Sequence, residues 1–167
     1  MSEARLVAQF KIKTAEAMHE LGLKLGGILN PGDLLVLNGP LGAGKTTLTR
    51  GIGEALETEG TVSSPTFVIA RTHPALAARL GTGKSLVHVD AYRLSSPAEL
   101  DDLDIDYANS ITIVEWGAGL TDGIAPAWLE LNIERDHTGA TEVREAELWA
   151  SGQRWAGLTA ADIEVVD

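Results

Sequence analysis

The chain has 167 residues, 44% hydrophobic and 22% charged, which suits one domain with a sizeable core and does not suit a disordered segment. It has no cysteine, so disulfide frameworks and cysteine-based metal or nucleophile chemistry are excluded, a composition that fits a cytoplasmic protein. A formal net charge of -11 argues against a broad nucleic-acid footprint, and no apolar run reaches membrane-spanning length or forms a signal peptide.

Arg5 to Ile12 alternates through Leu6, Ala8, Phe10 and Ile12, which predicts a strand with one face inward. Thr14 is the expected N-cap of a helix whose apolar stripe is Met18, Leu21, Leu25, Ile28 and Leu29, ended by Asn30-Pro31. Leu34-Leu35-Val36-Leu37, after the turn Asn30 to Asp33, reads as a strand buried on both faces. Directly behind it, Gly39-Pro40-Leu41-Gly42-Ala43-Gly44-Lys45-Thr46 fits the phosphate-loop pattern G-x-x-x-x-G-K-[ST]. Lys45 to Leu56, with Leu48, Ile52, Ala55 and Leu56 at helical spacing, supplies the helix that such a loop must open.

The chemistry explains the residue types. Glycines let backbone N–H groups turn inward around phosphates, and a helix N-terminus adds partial positive charge. Gly39, Pro40, Leu41, Gly42, Ala43, Gly44, Lys45, Thr46 and Thr47 are the expected nucleotide-binding set. Within it, Lys45 reaches the β- and γ-phosphates and the Thr46 hydroxyl ligates Mg²⁺.

Val62 to Arg71 reads as a polar turn, Ser63-Ser64-Pro65-Thr66, feeding a β-branched and aromatic strand. That turn is either a switch sensing the γ-phosphate or a turn whose hydroxyls bond local backbone. Thr72 to Ser85 reads as an exposed hairpin connection; its Gly81-Thr82-Gly83-Lys84-Ser85 lacks the leading glycine, Ala78 standing there, and is no second phosphate loop. Leu86 to Asp90 is an apolar strand ending in a carboxylate, on the side of the sheet where nucleotides bind. Asp90 holds Mg²⁺ through water, orients the attacking water or caps a helix; His88 is mid-strand and reads as core. Arg93 either faces the γ-phosphate or pairs with an acid.

Pro97 to Tyr107 reads as a short helical pair with a solvated acidic face. Ile111 to Gly117 is a second buried strand with a terminal acid, Glu115, the candidate direct Mg²⁺ ligand beside Thr46, followed by Trp116. Trp128 to Arg135 and Glu142 to Ala150 form an antiparallel hairpin about His137-Thr138-Gly139 that extends the sheet. Asp136-His137-Thr138-Gly139 matches the D-x-x-G of GTPase switches by chance, at a hairpin tip, and no Asn-Lys-x-Asp motif occurs, which favours ATP over GTP. The expected architecture is a single α/β domain over residues 1–167, a P-loop NTPase-like three-layer fold with a mostly parallel central sheet and an antiparallel C-terminal hairpin.

The order Gly39 to Thr47, Arg50-Gly51, Ser64-Pro65-Thr66-Phe67, His88-Val89-Asp90-Ala91-Tyr92-Arg93-Leu94 and Val114-Glu115-Trp116 resembles the bacterial TsaE (YjeE) family, from about Lys11 to Ala150. Members are small ATPases needed to build the threonylcarbamoyl group on the adenosine beside the anticodon of tRNAs reading codons that begin with A. The resemblance implies that Lys45 contacts the phosphates, Thr46 and Glu115 ligate Mg²⁺, Asp90 is needed for hydrolysis, Thr66 belongs to a switch and Trp116 lies near the nucleotide. It also implies that the chain catalyses no tRNA chemistry itself and works on two separate proteins, the transferase TsaD and its relative TsaB, without strong tRNA binding of its own. Departures are Pro40 where the family commonly has an acid, Gly117 where proline is frequent, and the long Thr72 to Ser85 insert. The other readings of a phosphate loop here are a small-molecule kinase, which usually adds an Arg-rich lid, and a nucleotide-sensing module without productive turnover.

Overall fold

The computed structural model describes residues 4–40, 43–58, 70–73, 85–91, 96–115, 125–135 and 143–163. The chain begins with strand β1 (Arg5–Ile12), whose Ala8 and Ile12 point into the core. The Thr14 hydroxyl then accepts a hydrogen bond from the Ala17 amide at 3.0 Å and opens helix α1 (Ala15–Ile28). Met18, Leu21, Leu25 and Leu29 are buried as the spacing predicts, while Ile28 is only partly covered. Asp33 closes the turn after α1, its carboxylate accepting from the Asn30 amide at 2.7 Å.

Strand β2 (Leu34–Asn38) is buried on both faces: Leu35 and Leu37 join the core beneath the helices, Leu34 and Val36 the smaller core on the other side. Helix α2 (Lys45–Ala55) follows the loop and packs on α1 at unusually close range. A Cβ added at Gly22 would stand 2.2 Å from the Leu48 carbonyl oxygen, and one at Gly51 2.3 Å from that of His19, so the two backbones touch where a side chain would part them.

The remaining strands are β3 (Ala70–His73), β4 (Ser85–Asp90), β5 (Ser110–Glu115), β6 (Trp128–Arg135) and β7 (Arg144–Ser151), with a short helix α3 (Pro97–Asp101) between β4 and β5. They form a seven-stranded sheet in the order β1-β7-β6-β2-β5-β4-β3. The four central strands, β6, β2, β5 and β4, run parallel, while β3 pairs antiparallel to β4, β7 to β6 and β1 to β7. The helix pair lies over one face, and Leu100 of α3 packs with Leu34, Val36, Val87, Val89 and Val114 on the other, giving three layers.

Several sequence expectations change in detail. Thr72 and Ser85 are not connection but strand: Thr72 pairs with Val87 and His73 with Leu86, because the β3–β4 ladder continues into the polar residues. The connection between these strands, 74–84, and the Ser-Pro-Thr turn with residues 62–69 lie outside the described residues, as does the hairpin tip at 136–142. The last strand begins at Arg144, not Glu142. The acidic stretch is a helix of one turn and then a 3-10 turn (Tyr107–Asn109), with Asp104 at φ 52 between them, and Asp102, Asp104 and Asp106 are exposed as expected.

Beyond β7 the chain does structural work. Trp155, Leu158 and Ile163 enter the main core, and the Arg154 guanidinium forks onto Asp33, Nε to Oδ1 at 3.3 Å and Nη2 to Oδ2 at 3.2 Å. Among the described residues no helix is long and apolar enough to cross a membrane.

Candidate functional site

The loop from Gly39 to Gly44 leaves the carboxyl end of β2 and enters α2, the strand-to-helix placement that phosphate binding requires. Gly44 is the helix N-cap at φ +108, a left-handed conformation that a side chain resists, and a Cβ there would also stand 2.9 Å from Met18 Cε. Among the described residues no side chain caps α2, and its first turn holds no acid to balance the helix dipole. Of the nucleotide-binding set, Gly39, Pro40, Ala43, Gly44, Lys45, Thr46 and Thr47 are seen at this corner; Leu41 and Gly42 lie outside the described residues.

Strand register brings the acids to the same corner. Asp90 ends β4 and Glu115 ends β5, and the two are paired across the parallel ladder, while Glu115 is paired with Leu37 of β2 on its other side. Residues alternate in facing along a strand, so Asp90 shares the face of Leu86 and Glu115 that of Ile111 and Ile113, the face covered by α1 and α2. Glu115 is buried and Asp90 half-buried. Next to β2 on the far side, Asn38 Nδ2 donates to Asn132 Oδ1 at 2.9 Å and to Glu130 Oε1 at 3.1 Å, tying the start of the loop to β6.

Lys45 is the cation of the site. Its side chain is 7% exposed and its ammonium donates to the Gly39 carbonyl, arching back over the loop. Burial pushes its pKa below the ordinary lysine value, and the negative charges of Glu115 and Asp90 pull it partly back. Thr46, one residue on, is half-buried. His88 is fully buried on β4, with Nε2 3.3 Å from Glu115 Oε2, a contact the sequence pattern did not single out, since a mid-strand histidine looks like core.

The donor set fits a magnesium ion. A threonine hydroxyl and a carboxylate are hard oxygen ligands, and Mg²⁺ commonly uses one or two protein ligands with phosphate oxygens and water filling the rest. Among the described residues no cluster of three or more His, Cys, Asp or Glu suited to a metal occurs. Thr66, Trp116 and Arg93 lie outside the described residues.

A cavity of about 160 Å³ opens on the α1 side of the loop, lined by Lys13, Thr14, Met18, Gly44, Thr47 and Arg144. Lys13, Thr14 and Arg144 were invisible as neighbours of the loop, because only the Ile12–Arg144 pairing of β1 with β7 brings them there. A larger groove of about 480 Å³ lies on the outer face of β1, β6 and β7, among Glu134, Glu145 and Glu147. Its carboxylates repel phosphate, so size alone does not mark the nucleotide seat.

The chain shares this architecture with the crystal structure of Bacillus subtilis YdiB, at a TM-score of 0.71 over 98% of this chain and 95% of that one and with 24% identity, which shows a common P-loop NTPase-like fold. It is 50% identical over 153 residues to the tRNA threonylcarbamoyladenosine biosynthesis protein TsaE of Streptomyces coelicolor, covering 89% of this chain and 99% of the relative. To the protein of that name from Mycobacterium leprae it is 46% identical over 69% of this chain and 74% of the relative, and to that of Bacillus subtilis 34% identical over 77% and 76%. The family model for the threonylcarbamoyl adenosine biosynthesis protein TsaE matches residues 12–145, a span that holds the loop, both strand-end acids and most of the sheet. The chain belongs to the TsaE family.

Proposed function

We propose that this chain is the ATP-binding and ATP-hydrolysing accessory component of tRNA threonylcarbamoyladenosine biosynthesis, acting in the cytoplasm on the TsaD and TsaB proteins. The observation that carries the reading is the convergence of Lys45, Asp90 and Glu115 at the uncapped N-terminus of α2. Family membership supports the pathway.

In this reading the α2 N-terminus and loop amides receive the phosphates, and Lys45 leaves the Gly39 carbonyl for the β- and γ-phosphates. Thr46 and Glu115 would hold a Mg²⁺ ion, which would supply neutralisation of the charge developing on the phosphates. Asp90 orients the water that attacks the γ-phosphorus in line, giving ADP and inorganic phosphate. Lys45 and the loop amides stabilise the charge of the transferring group. Family resemblance gives Thr66 the role of a switch residue and Trp116 that of a nucleotide neighbour. The net charge of -11 makes strong direct tRNA binding unfavourable, so partner proteins hold the tRNA.

The test is phosphate release from Mg-ATP by the pure protein, alone and with a purified TsaB/TsaD pair, with Lys45→Ala as the blank. Slow release that the pair stimulates is expected. Absence of stimulation although the complex forms would remove the accessory-ATPase reading and leave a sensing module or a kinase.

A further inference from the structure

The candidate site contains a buried polar side chain that the proposed chemistry does not use. His88 has no exposed surface, and among the described residues neither of its ring nitrogens completes a hydrogen bond. Native proteins rarely bury such groups without a reason, since each loses its bonds to water and gains none in return. The apolar side of the strand does not call for a histidine here: its neighbours along the strand, Val87 and Val89, are aliphatic, and so are Leu86 on its own face and Ile113 across the ladder on β5, while its register partner on β3 is Arg71. A leucine or methionine would fill such surroundings without leaving polar atoms stranded.

What the imidazole does reach is one atom of the site, Glu115 Oε2, at 3.3 Å from Nε2. A carboxylate that ligates a metal works well only when its orientation is fixed, and outer-shell hydrogen bonds supply that restraint. We propose that His88 is a positioning residue: with its proton on Nε2 it donates to Glu115 Oε2, fixes the carboxylate and leaves Oε1 to the cation. The inference rests on the reading of Glu115 as a metal ligand. At 3.3 Å the contact is long for a hydrogen bond, and hydrogen bonds at such sites commonly tighten on ligand binding. Asp90 shares the His88 face two residues further along the strand.

The experiment follows binding rather than turnover. A fluorescent ADP analogue is titrated into native protein, His88→Leu, His88→Gln and Glu115→Ala, each at a series of Mg²⁺ concentrations including none. Removing such a restraint typically costs about 10- to 100-fold in metal affinity. His88→Leu should therefore raise by that factor the Mg²⁺ concentration at which binding is enhanced, with metal-free binding unchanged. His88→Gln, whose amide places a donor near the position of Nε2, should recover most of the loss. If Glu115→Ala loses its Mg²⁺ response while His88→Leu keeps the native one, the role of His88 falls and the metal reading stands. If Glu115→Ala also responds like the native protein, the metal reading falls and the inference with it. Should His88→Leu fail to fold, ¹⁵N NMR of the native imidazole decides: protonation at Nε2 supports the proposal, and an Nδ1–H tautomer overturns it.

Discussion

The two helices that lie against each other begin with opposite chemistry. At α1 the Thr14 hydroxyl takes the Ala17 amide, and Glu16 sits in the first turn to balance the dipole. At α2 the cap is Gly44 with no side chain, and the first turn is Lys45-Thr46-Thr47, with a cation where an anion would stabilise the isolated helix. By the rules of helix stability α1 is well started and α2 badly started. The difference fits the proposal that the N-terminus of α2 receives an anion from outside, while α1 carries its own and serves as the surface on which α2 is held. The close approach at Gly22 and Gly51 is how that holding is done.

The comparison breaks most visibly at Lys45. Lys45→Ala should weaken ATP-analogue binding by roughly 10- to 100-fold, the usual worth of a charge-assisted hydrogen bond, with no loss in melting temperature. Equal binding by native and variant in calorimetry would remove the phosphate site from α2. The same residue carries a pH signature. Its pKa is lowered in the folded protein, so the unfolded chain binds more protons in the interval between the lowered and the ordinary lysine value, and stability rises with pH there. Bound phosphates raise the pKa again. Nucleotide binding in that interval should therefore take up a proton and weaken as pH rises, measurable as a dependence of the binding heat on buffer ionisation.

Gly51→Ala tests the holding surface. With a Cβ 2.3 Å from the His19 carbonyl oxygen the helices must part, and about 1–3 kcal/mol of stability should be lost in denaturant melts, with nucleotide binding reduced as a consequence. Thr14→Ala should cost about 1 kcal/mol of stability and leave nucleotide affinity unchanged, which separates the cap that stabilises from the cap that binds. The smallest effect is the most instructive. Thr47→Glu places an acid in the first turn of α2, so the empty protein should gain about 0.3–1 kcal/mol while nucleotide binding weakens. A variant that gains stability and keeps full affinity would show that the dipole of α2 is not used by the ligand.

Much of the site was legible because its parts are local. Gly44, Lys45 and Thr46 are adjacent in the chain, the strand before them is a short apolar run, and Asp90 and Glu115 each close a strand whose hydrophobicity marks it plainly. Other features depend on partners far away in the chain. The Ile12–Arg144 register that lines the cavity beside the loop spans nearly the whole chain, and β1 at the sheet edge reads locally as any half-buried strand. The Arg154–Asp33 fork and the burial of Trp155, Leu158 and Ile163 lie in a segment of short 3-10 turns with no periodicity to betray them.

The sequence by itself determined the element types, the phosphate loop and the identities of its candidate cation and acids, because periodicity, capping and loop chemistry act over a few residues. Only the tertiary structure decided that β2 lies between β5 and β6, that Asp90 and Glu115 stand side by side, that burial lowers the pKa of Lys45 against the opposing charges of Glu115 and Asp90, and that His88 meets Glu115. Strand order and register set these contacts, and they follow from how the apolar faces of distant segments bury one another, a choice made by the whole chain at once.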